Sequence, residues 1–142
     1  MTPSPPRLLV RLWSWKSEKL LIDAQTEHAE RTARGLEPDF SFSVYGRPLK
    51  HGETADEALK EICRWDQDTI GYEVRHAAGV TDVEIEGLGC PVRADPSEET
   101  QSLMTGTPCH YDVVLGTDLA AVDVAPLVSL FDQRKVSRPC SQ

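Results

Sequence analysis

The sequence predicts an α+β protein with a mixed or antiparallel sheet of four to five strands and two to four helices packed on one face of that sheet. Segments with a period of two alternate along the chain with segments of helical period. The strand predicted at residues 40–45 has one apolar and one largely polar face, which is typical of a sheet covered on one side only. A ferredoxin-like arrangement is the first interpretation of this order of elements.

The N-terminal part of the chain predicts a strand, a helix and a second strand. Side chains alternate along residues 8–13, which is typical of a strand. From about residue 17 the apolar residues recur at helical spacing, and Gly35-Leu36 with Pro38 beyond is the usual end of a helix. The Phe-Ser alternation of residues 40–45 then predicts the second strand.

The middle of the chain predicts one well-marked helix and one ambiguous segment. Thr54 and Glu57 have the spacing of a capping box ahead of a helix at residues 55–65. Residues 68–78 fit either a strand or a helix; Gly79 followed by Val80 repeats the glycine-then-hydrophobe ending and favours the helix. A strand with an acidic outer face is then predicted up to Glu86.

The C-terminal part predicts a loop, a strand and a last helix. Residues 94–108 are polar, acidic and rich in turn formers, so we expect a long surface loop. A strand follows at residues 109–115 and an amphipathic helix at residues 119–134. We expect a single domain over residues 1–142, with flexible tails at residues 1–6 and 137–142.

Composition restricts the partners. The net charge of −8 opposes the neutralisation of phosphates, so we expect no nucleic-acid partner and favour another protein, in particular a basic one. No apolar run approaches the length of a membrane span, and the N-terminal residues lack the features of a signal peptide. The sequence therefore predicts a cytoplasmic protein that binds no membrane and keeps its four cysteines reduced.

The motifs of the common catalytic and cofactor sites are missing from the sequence. It has no phosphate-binding glycine loop, GxSxG elbow or HExxH motif, and its cysteines and histidines lack the paired spacing of a zinc site. We therefore expect neither a cofactor nor a metal, while the question of an enzyme stays open and leans towards none.

The segment GTPCHYDVVLG, residues 106–116, contains the strongest candidate site. Alternation along a strand places Cys109 with Tyr111 on one face and His110 with Asp112 on the other. Cys109 is thus interpreted as a core residue rather than an activated thiol. His110 and Asp112 are the candidate catalytic pair, and Tyr111 and Cys90 are further candidates for the lining of a pocket. A polar pair on an open sheet face is the competing interpretation.

Trp13 and Trp15 are the candidate interaction residues. They alternate with Ser14 and so share one face. If exposed, they would form an anchor for a partner or a second subunit; if buried, they fill the gap between sheet and helix.

Three functional hypotheses remain. The first is a non-enzymatic binding or regulatory protein, such as an adaptor, an inhibitor or an immunity or antitoxin-like protein, and a homodimer through an open sheet face or edge is one form of it. The second is a small-ligand binder or enzyme with a pocket around His110 and Asp112. The third is a structural or assembly subunit.

Overall fold

A six-stranded antiparallel sheet forms the centre of the computed structural model, which describes residues 5–12, 14–71 and 73–140. Within these residues the strand order is β4-β5-β2-β1-β3-β6, and every neighbouring pair is antiparallel. The α+β class is confirmed, and two short edge strands, β4 and β6, bring the sheet to six. The strands are β1 (Arg7–Arg11), β2 (Phe40–Pro48), β3 (His76–Thr81), β4 (Val92–Ala94), β5 (Cys109–Gly116) and β6 (Lys135–Ser137).

Five α-helices and one 3₁₀ turn connect the strands of the described chain. The strands β1, β2 and β5 and the first two predicted helices lie where the sequence predicts them, with their ends shifted by a few residues, whereas the last helix begins at residue 125 rather than 119. The helices are α1 (Ser17–Ala33), α2 (Ala55–Ile70), α3 (Asp82–Glu86), α4 (Pro96–Thr105) and α5 (Ala125–Gln133), and the 3₁₀ turn is Leu119–Ala121. The predicted capping box of α2 is present, with Glu57 N donating to Thr54 Oγ1 at 3.2 Å and Thr54 N to Glu57 Oε1 at 3.0 Å.

Helices cover both faces of the sheet. On the first face, Leu9 of β1 packs in one core cluster with Ile85 of α3 and Phe131 of α5. On the second face, its neighbour Leu8 packs in another cluster with Ile62 of α2. The expectation that the helices lie on one face is therefore wrong. That expectation rested on the polar face of β2. The second face carries polar side chains at β2 because α2 packs on β1 and β3 instead.

The ferredoxin-like interpretation is also wrong. That arrangement has the element order βαββαβ, whereas strands and helices here alternate along the whole described chain. The first strand of this sheet pairs antiparallel with both β2 and β3.

The helix favoured for residues 68–78 is wrong at residues 76–78, which belong to β3. The second helix ends at Ile70, and Gly71, with a φ of 83°, is the left-handed C-cap that the sequence pattern predicts at Gly79. Gly79 lies inside β3, where a Cβ atom would come within 3.2 Å of Leu59 Cδ1. The absence of a side chain at Gly79 allows β3 to pack closely against α2.

The strand predicted up to Glu86 is short and gives way to α3. Thr81 ends β3 and also caps this helix: Glu84 N donates to Thr81 Oγ1 at 3.2 Å, and Thr81 N donates to Glu84 Oε1 at 3.1 Å. The capping-box spacing of Thr81 and Glu84 was a helix signal that outweighs the apparent alternation.

The long loop predicted at residues 94–108 contains α4. Asp95 Oδ1 accepts hydrogen bonds from the amides of Ser97 and Glu98 at 2.9 and 3.2 Å, and Pro96 occupies the first turn. The helix ends at Gly106, which has a φ of 75°. The missed signal was an acidic cap followed by proline.

The predicted tails are only partly described. Residues 1–4, 141 and 142 lie outside the described residues, and Pro6 O accepts a hydrogen bond from Leu49 N at 2.9 Å. At the other end Ser137 belongs to β6, and Cys140 packs against the core cluster of the second face. In the described parts of the chain, no helix combines the length and apolar character that a membrane span requires.

The first two strands approach each other closely at Gly46. This residue pairs with Leu9 of β1 on one side and with Cys109 of β5 on the other. A Cβ atom at Gly46 would lie 2.0 Å from the carbonyl oxygen of Leu8, which is a backbone atom that cannot move aside alone. Glycine is therefore required for the pairing of these strands.

We predict that Gly46→Ala lowers the free energy of unfolding by more than about 3 kcal/mol, because the methyl group forces β1 and β2 apart. Gly79→Ala is the control: its nearest contact is the flexible end of Leu59 at 3.2 Å, and we expect a loss below about 1 kcal/mol. Urea denaturation measures both. Equal losses for the two variants would contradict this account of Gly46.

Candidate functional site

The four candidate residues around the GTPCHYDVVLG segment lie on different faces of the sheet. Tyr111 packs with Cys109 in the core cluster of the first face, and Cys90 packs against the same cluster. His110 and Asp112 point to the second face. Alternation along β5 is as the sequence predicts, but Tyr111 and Cys90 are separated from the His110–Asp112 pair by the sheet.

His110 is close to two polar side chains. Its Nε2 atom lies 2.8 Å from Ser43 Oγ and 3.1 Å from Asp112 Oδ1. The pairing of β2 with β5 accounts for this cluster, because Ser43 lies opposite Asp112 and Tyr45 lies opposite His110. Sequence reasoning missed Ser43 as a member, since its only signal was a place on the polar face of the strand.

Ser43, His110 and Asp112 do not form a charge-relay triad. In such a triad the imidazole accepts a proton from the serine at one ring nitrogen and is held by the carboxylate at the other. Here both the hydroxyl and the carboxylate approach the same Nε2 atom. The carboxylate therefore does not hold the imidazole at the other ring nitrogen, as a triad requires.

Arg93 holds the carboxylate of Asp112 from the other side. Its Nη2 atom lies 3.1 Å from Asp112 Oδ2 and 3.2 Å from Ser41 Oγ, and its Nη1 atom forms an ion pair with Asp39. Burial opposes ionisation of Asp112, but His110 and Arg93 together outweigh it and hold the pKa of Asp112 below its usual value. The contact with Asp112 in turn raises the pKa of His110, against the opposing effect of burial.

Tyr111 has a structural role on the first face. Its side chain is fully buried, and its hydroxyl donates to the carboxylate of Glu99 of α4. That carboxylate also accepts two hydrogen bonds from Arg7, at 2.7 and 2.8 Å. Burial, followed by the bond to Glu99, raises the pKa of Tyr111, so the hydroxyl stays protonated and ties β5 to α4.

A cleft lies elsewhere, at the end of the sheet where β1 ends and β3 begins. Its volume is about 840 Å³, and its apolar side chains are contributed by Leu12, Trp15 and Val74. A smaller hollow of about 310 Å³ lies beside His110, Tyr45 and Trp65. No local sequence pattern signals the cleft, because its lining comes from separate parts of the chain.

Trp15 forms a fixed wall of the cleft. Its side chain is only 7% exposed, its Nε1 atom donates to Asp132 Oδ1 at 2.6 Å, and its ring lies 6.2 Å from that of Phe131. A residue buried to this extent fills the space between sheet and helix, the second of the two interpretations given for the tryptophans. Trp13, the other candidate interaction residue, lies outside the described residues.

Charged side chains surround the apolar part of the cleft. Three are cationic, and two carry carboxylates, of which Asp132 already accepts the indole hydrogen bond. The cationic residues are Lys16, Arg75 and Lys135, and the acidic ones are Glu73 and Asp132. The cleft thus has an excess of positive charge in a chain whose net charge is −8.

No arrangement for a metal ion is present among the described residues, where no three His, Cys, Asp or Glu side chains are grouped to hold one. Comparisons with models of protein families, with curated proteins and with solved structures find no match to this chain. The geometry of the cleft and of the His110 cluster is therefore the basis for a functional proposal.

We predict that the pKa of His110, followed by NMR, lies above 6.5 and that Asp112→Asn lowers it, because the neighbouring carboxylate stabilises the imidazolium. Since the folded-state pKa is raised, the stability contributed by His110 is present below pH 6.5 and is lost as the pH rises through the folded-state value.

Asp39→Asn is the matched control for this titration. It removes a carboxylate that contacts Arg93 rather than His110, so we expect a smaller change in the pKa of His110. Equal changes for Asp39→Asn and Asp112→Asn would show that the general charge of the sheet face, and not the contact, sets this pKa.

Proposed function

We propose that this chain is a non-enzymatic binding protein whose ligand occupies the cleft between the ends of β1 and β3. The single observation that carries the proposal is the size of the cleft together with its lining. Its volume of about 840 Å³ lies within the range of about 300–1,000 Å³ that is usual for small-ligand sites. Apolar walls with a few charged groups at the margin are also usual for such sites.

The lining favours an amphipathic anion. The apolar part of the ligand would pack on Leu12, Trp15 and Val74, and its acidic group would face Arg75 and Lys135. A carboxylate or sulfonate gains from these cations because desolvation at the mouth of the cleft strengthens the attraction. The hydrogen bond from Trp15 fixes the position of the Asp132 carboxylate, and the three cations of the lining outnumber the two carboxylates.

Binding rather than catalysis is supported by the arrangement of the polar groups. At Ser43 and His110, where a hydroxyl and an imidazole meet, the Asp112 carboxylate lies beside the same ring nitrogen as the hydroxyl rather than at the other one. This cluster also lies apart from the lining of the cleft. The pairs within this cluster join β2, β4 and β5 on the second face of the sheet.

We predict that the protein binds anilinonaphthalene sulfonate, an apolar anion, and that octanoate displaces this dye more strongly than octanol does. The double variant Arg75→Ala with Lys135→Ala is expected to weaken octanoate binding about 10-fold, since two exposed charge contacts contribute about 1.4 kcal/mol together. Octanol binding should be unchanged by the same substitutions. Dye fluorescence in a competition titration measures each affinity.

Lys60→Ala is the control for the loss of positive charge, because Lys60 is exposed on α2 and does not line the cleft. We expect it to leave octanoate binding unchanged. Failure of both octanoate and octanol to displace the dye would overturn the cleft proposal. Equal weakening by Lys60→Ala would assign the effect to overall charge.

A second candidate function, the docking of a basic partner protein, is favoured by the surface of α4. Two adjacent apolar side chains are exposed there, Leu103 at 63% and Met104 at 82%. Methionine is common at protein-binding surfaces because its side chain adapts to different partners. Asp95 and Glu98 at the start of the same helix are exposed and would attract a basic partner.

A synthetic amphipathic helix of lysine and leucine tests this second candidate. We predict that it binds the protein and that Leu103→Lys combined with Met104→Lys abolishes the binding, measured by fluorescence anisotropy of the labelled peptide. Ile22→Lys changes another exposed apolar residue, 49% exposed on α1, and is expected to have little effect. An equal loss in Ile22→Lys would mean that the peptide binds without regard to α4.

A further inference from the structure

Two thiols that are far apart in the sequence meet on the second face of the sheet. Cys63 of α2 is fully buried in the core cluster of this face, and Cys140 packs against the same cluster. The two side chains share a hydrogen bond, and both carry free thiols.

The turn after β6 brings Cys140 to this position. Arg138 has a φ of 49°, and its amide donates to the carbonyl oxygen of Arg75 at 2.7 Å. Pro139 is buried next to it. The chain therefore leaves the edge of the sheet and packs back towards α2, so the contact between the thiols closes a long loop of the chain.

We propose that Cys63 and Cys140 are a thiol modification site, where a low-molecular-weight disulfide such as oxidised glutathione converts the pair into an intramolecular disulfide that fastens the segment after β6 to α2. The proposal does not rest on ligand binding in the cleft.

The exchange proceeds in two steps. The Cys140 thiolate attacks one sulfur of oxidised glutathione, forming a mixed disulfide and releasing one glutathione thiolate. The Cys63 thiolate then attacks the sulfur of Cys140 and releases the second glutathione thiolate. Two protein thiols are oxidised to one disulfide, and one glutathione disulfide is reduced to two glutathione thiolates. These two thiolates take up the two protons that the protein thiols lose.

The surroundings of the two thiols favour this order. Cys140 is partly exposed and can be reached by glutathione disulfide, whereas Cys63 is fully buried. Burial raises the pKa of both thiols; at Cys140 the hydrogen bond from Cys63 and the charge of Arg64 act in the opposite direction, while Asp66 and Asp68 add to the rise. The other two cysteines, Cys90 and Cys109, belong to the first face and are separated from this pair by the sheet.

Oxidation of the whole chain with oxidised glutathione at mildly alkaline pH tests the proposal. We expect the loss of two free thiols and a linked peptide pair containing Cys63 and Cys140 in the digest. Because a disulfide that closes a long loop restricts the unfolded chain, we expect the Tm of the oxidised monomer to rise by about 5–15 °C. Reduction with dithiothreitol should reverse both changes.

Single variants separate the two steps. Cys63→Ala should leave Cys140 as a stable glutathione adduct, Cys140→Ser should prevent the cross-link, and Cys90→Ser should behave as the wild type. A persistent adduct on wild-type Cys140, the absence of any reaction, or a linked peptide containing Cys90 or Cys109 would each overturn the proposal. Cys140→Ser alters a partly exposed residue near the chain end, so it serves as the decisive variant if Cys63→Ala fails to fold.

Discussion

The close contact between β1 and β2 at Gly46 is the constraint on which the rest of the sheet depends. A residue with a side chain cannot take the place of Gly46 opposite Leu9, so this contact specifies the register of the two strands. A shift by one residue would also move every side chain to the opposite face of the sheet. The observed register places Leu8 and Leu9 in separate core clusters. The other edge of β2 pairs with β5, and that second pairing places Ser43 opposite Asp112 and brings together the polar cluster around His110.

The next residue, Arg47, links this central strand to the start of α2. It is 1% exposed, and its guanidinium forms two hydrogen bonds of 2.7 Å with the carboxylate of Glu53. The bond to Arg47, opposed by burial, is the main reason that the pKa of Glu53 falls to about 2. A buried cation without this partner would carry a large desolvation cost, so the pair specifies how the turn before α2 packs on β2.

Local periodicity was enough to predict the strand and helix class and the split between Cys109 and His110, because a strand alternates its side chains whatever its partners are. Periodicity did not predict the short helices that begin after Thr81 and Asp95. The only helix signal at each place is the capping residue, and the residues around it have the alternating pattern of a strand or the polar composition of a loop. Ser43 and Arg93 could not be assigned to the cluster around His110 from the sequence. Their place depends on which strands become neighbours, which local periodicity does not specify.

The cleft and the thiol pair share a piece of the chain, since Lys135 of β6 borders the cleft and the segment after β6 carries Cys140. Trp15, fixed by Asp132 and Phe131, forms a wall that loses little freedom when a ligand binds. The border at Lys135 belongs to β6, which is joined to the β3 side by three residue pairs and by the hydrogen bond from Arg138 N to Arg75 O. A disulfide from Cys140 to Cys63 would add a covalent restraint to the segment that follows this border.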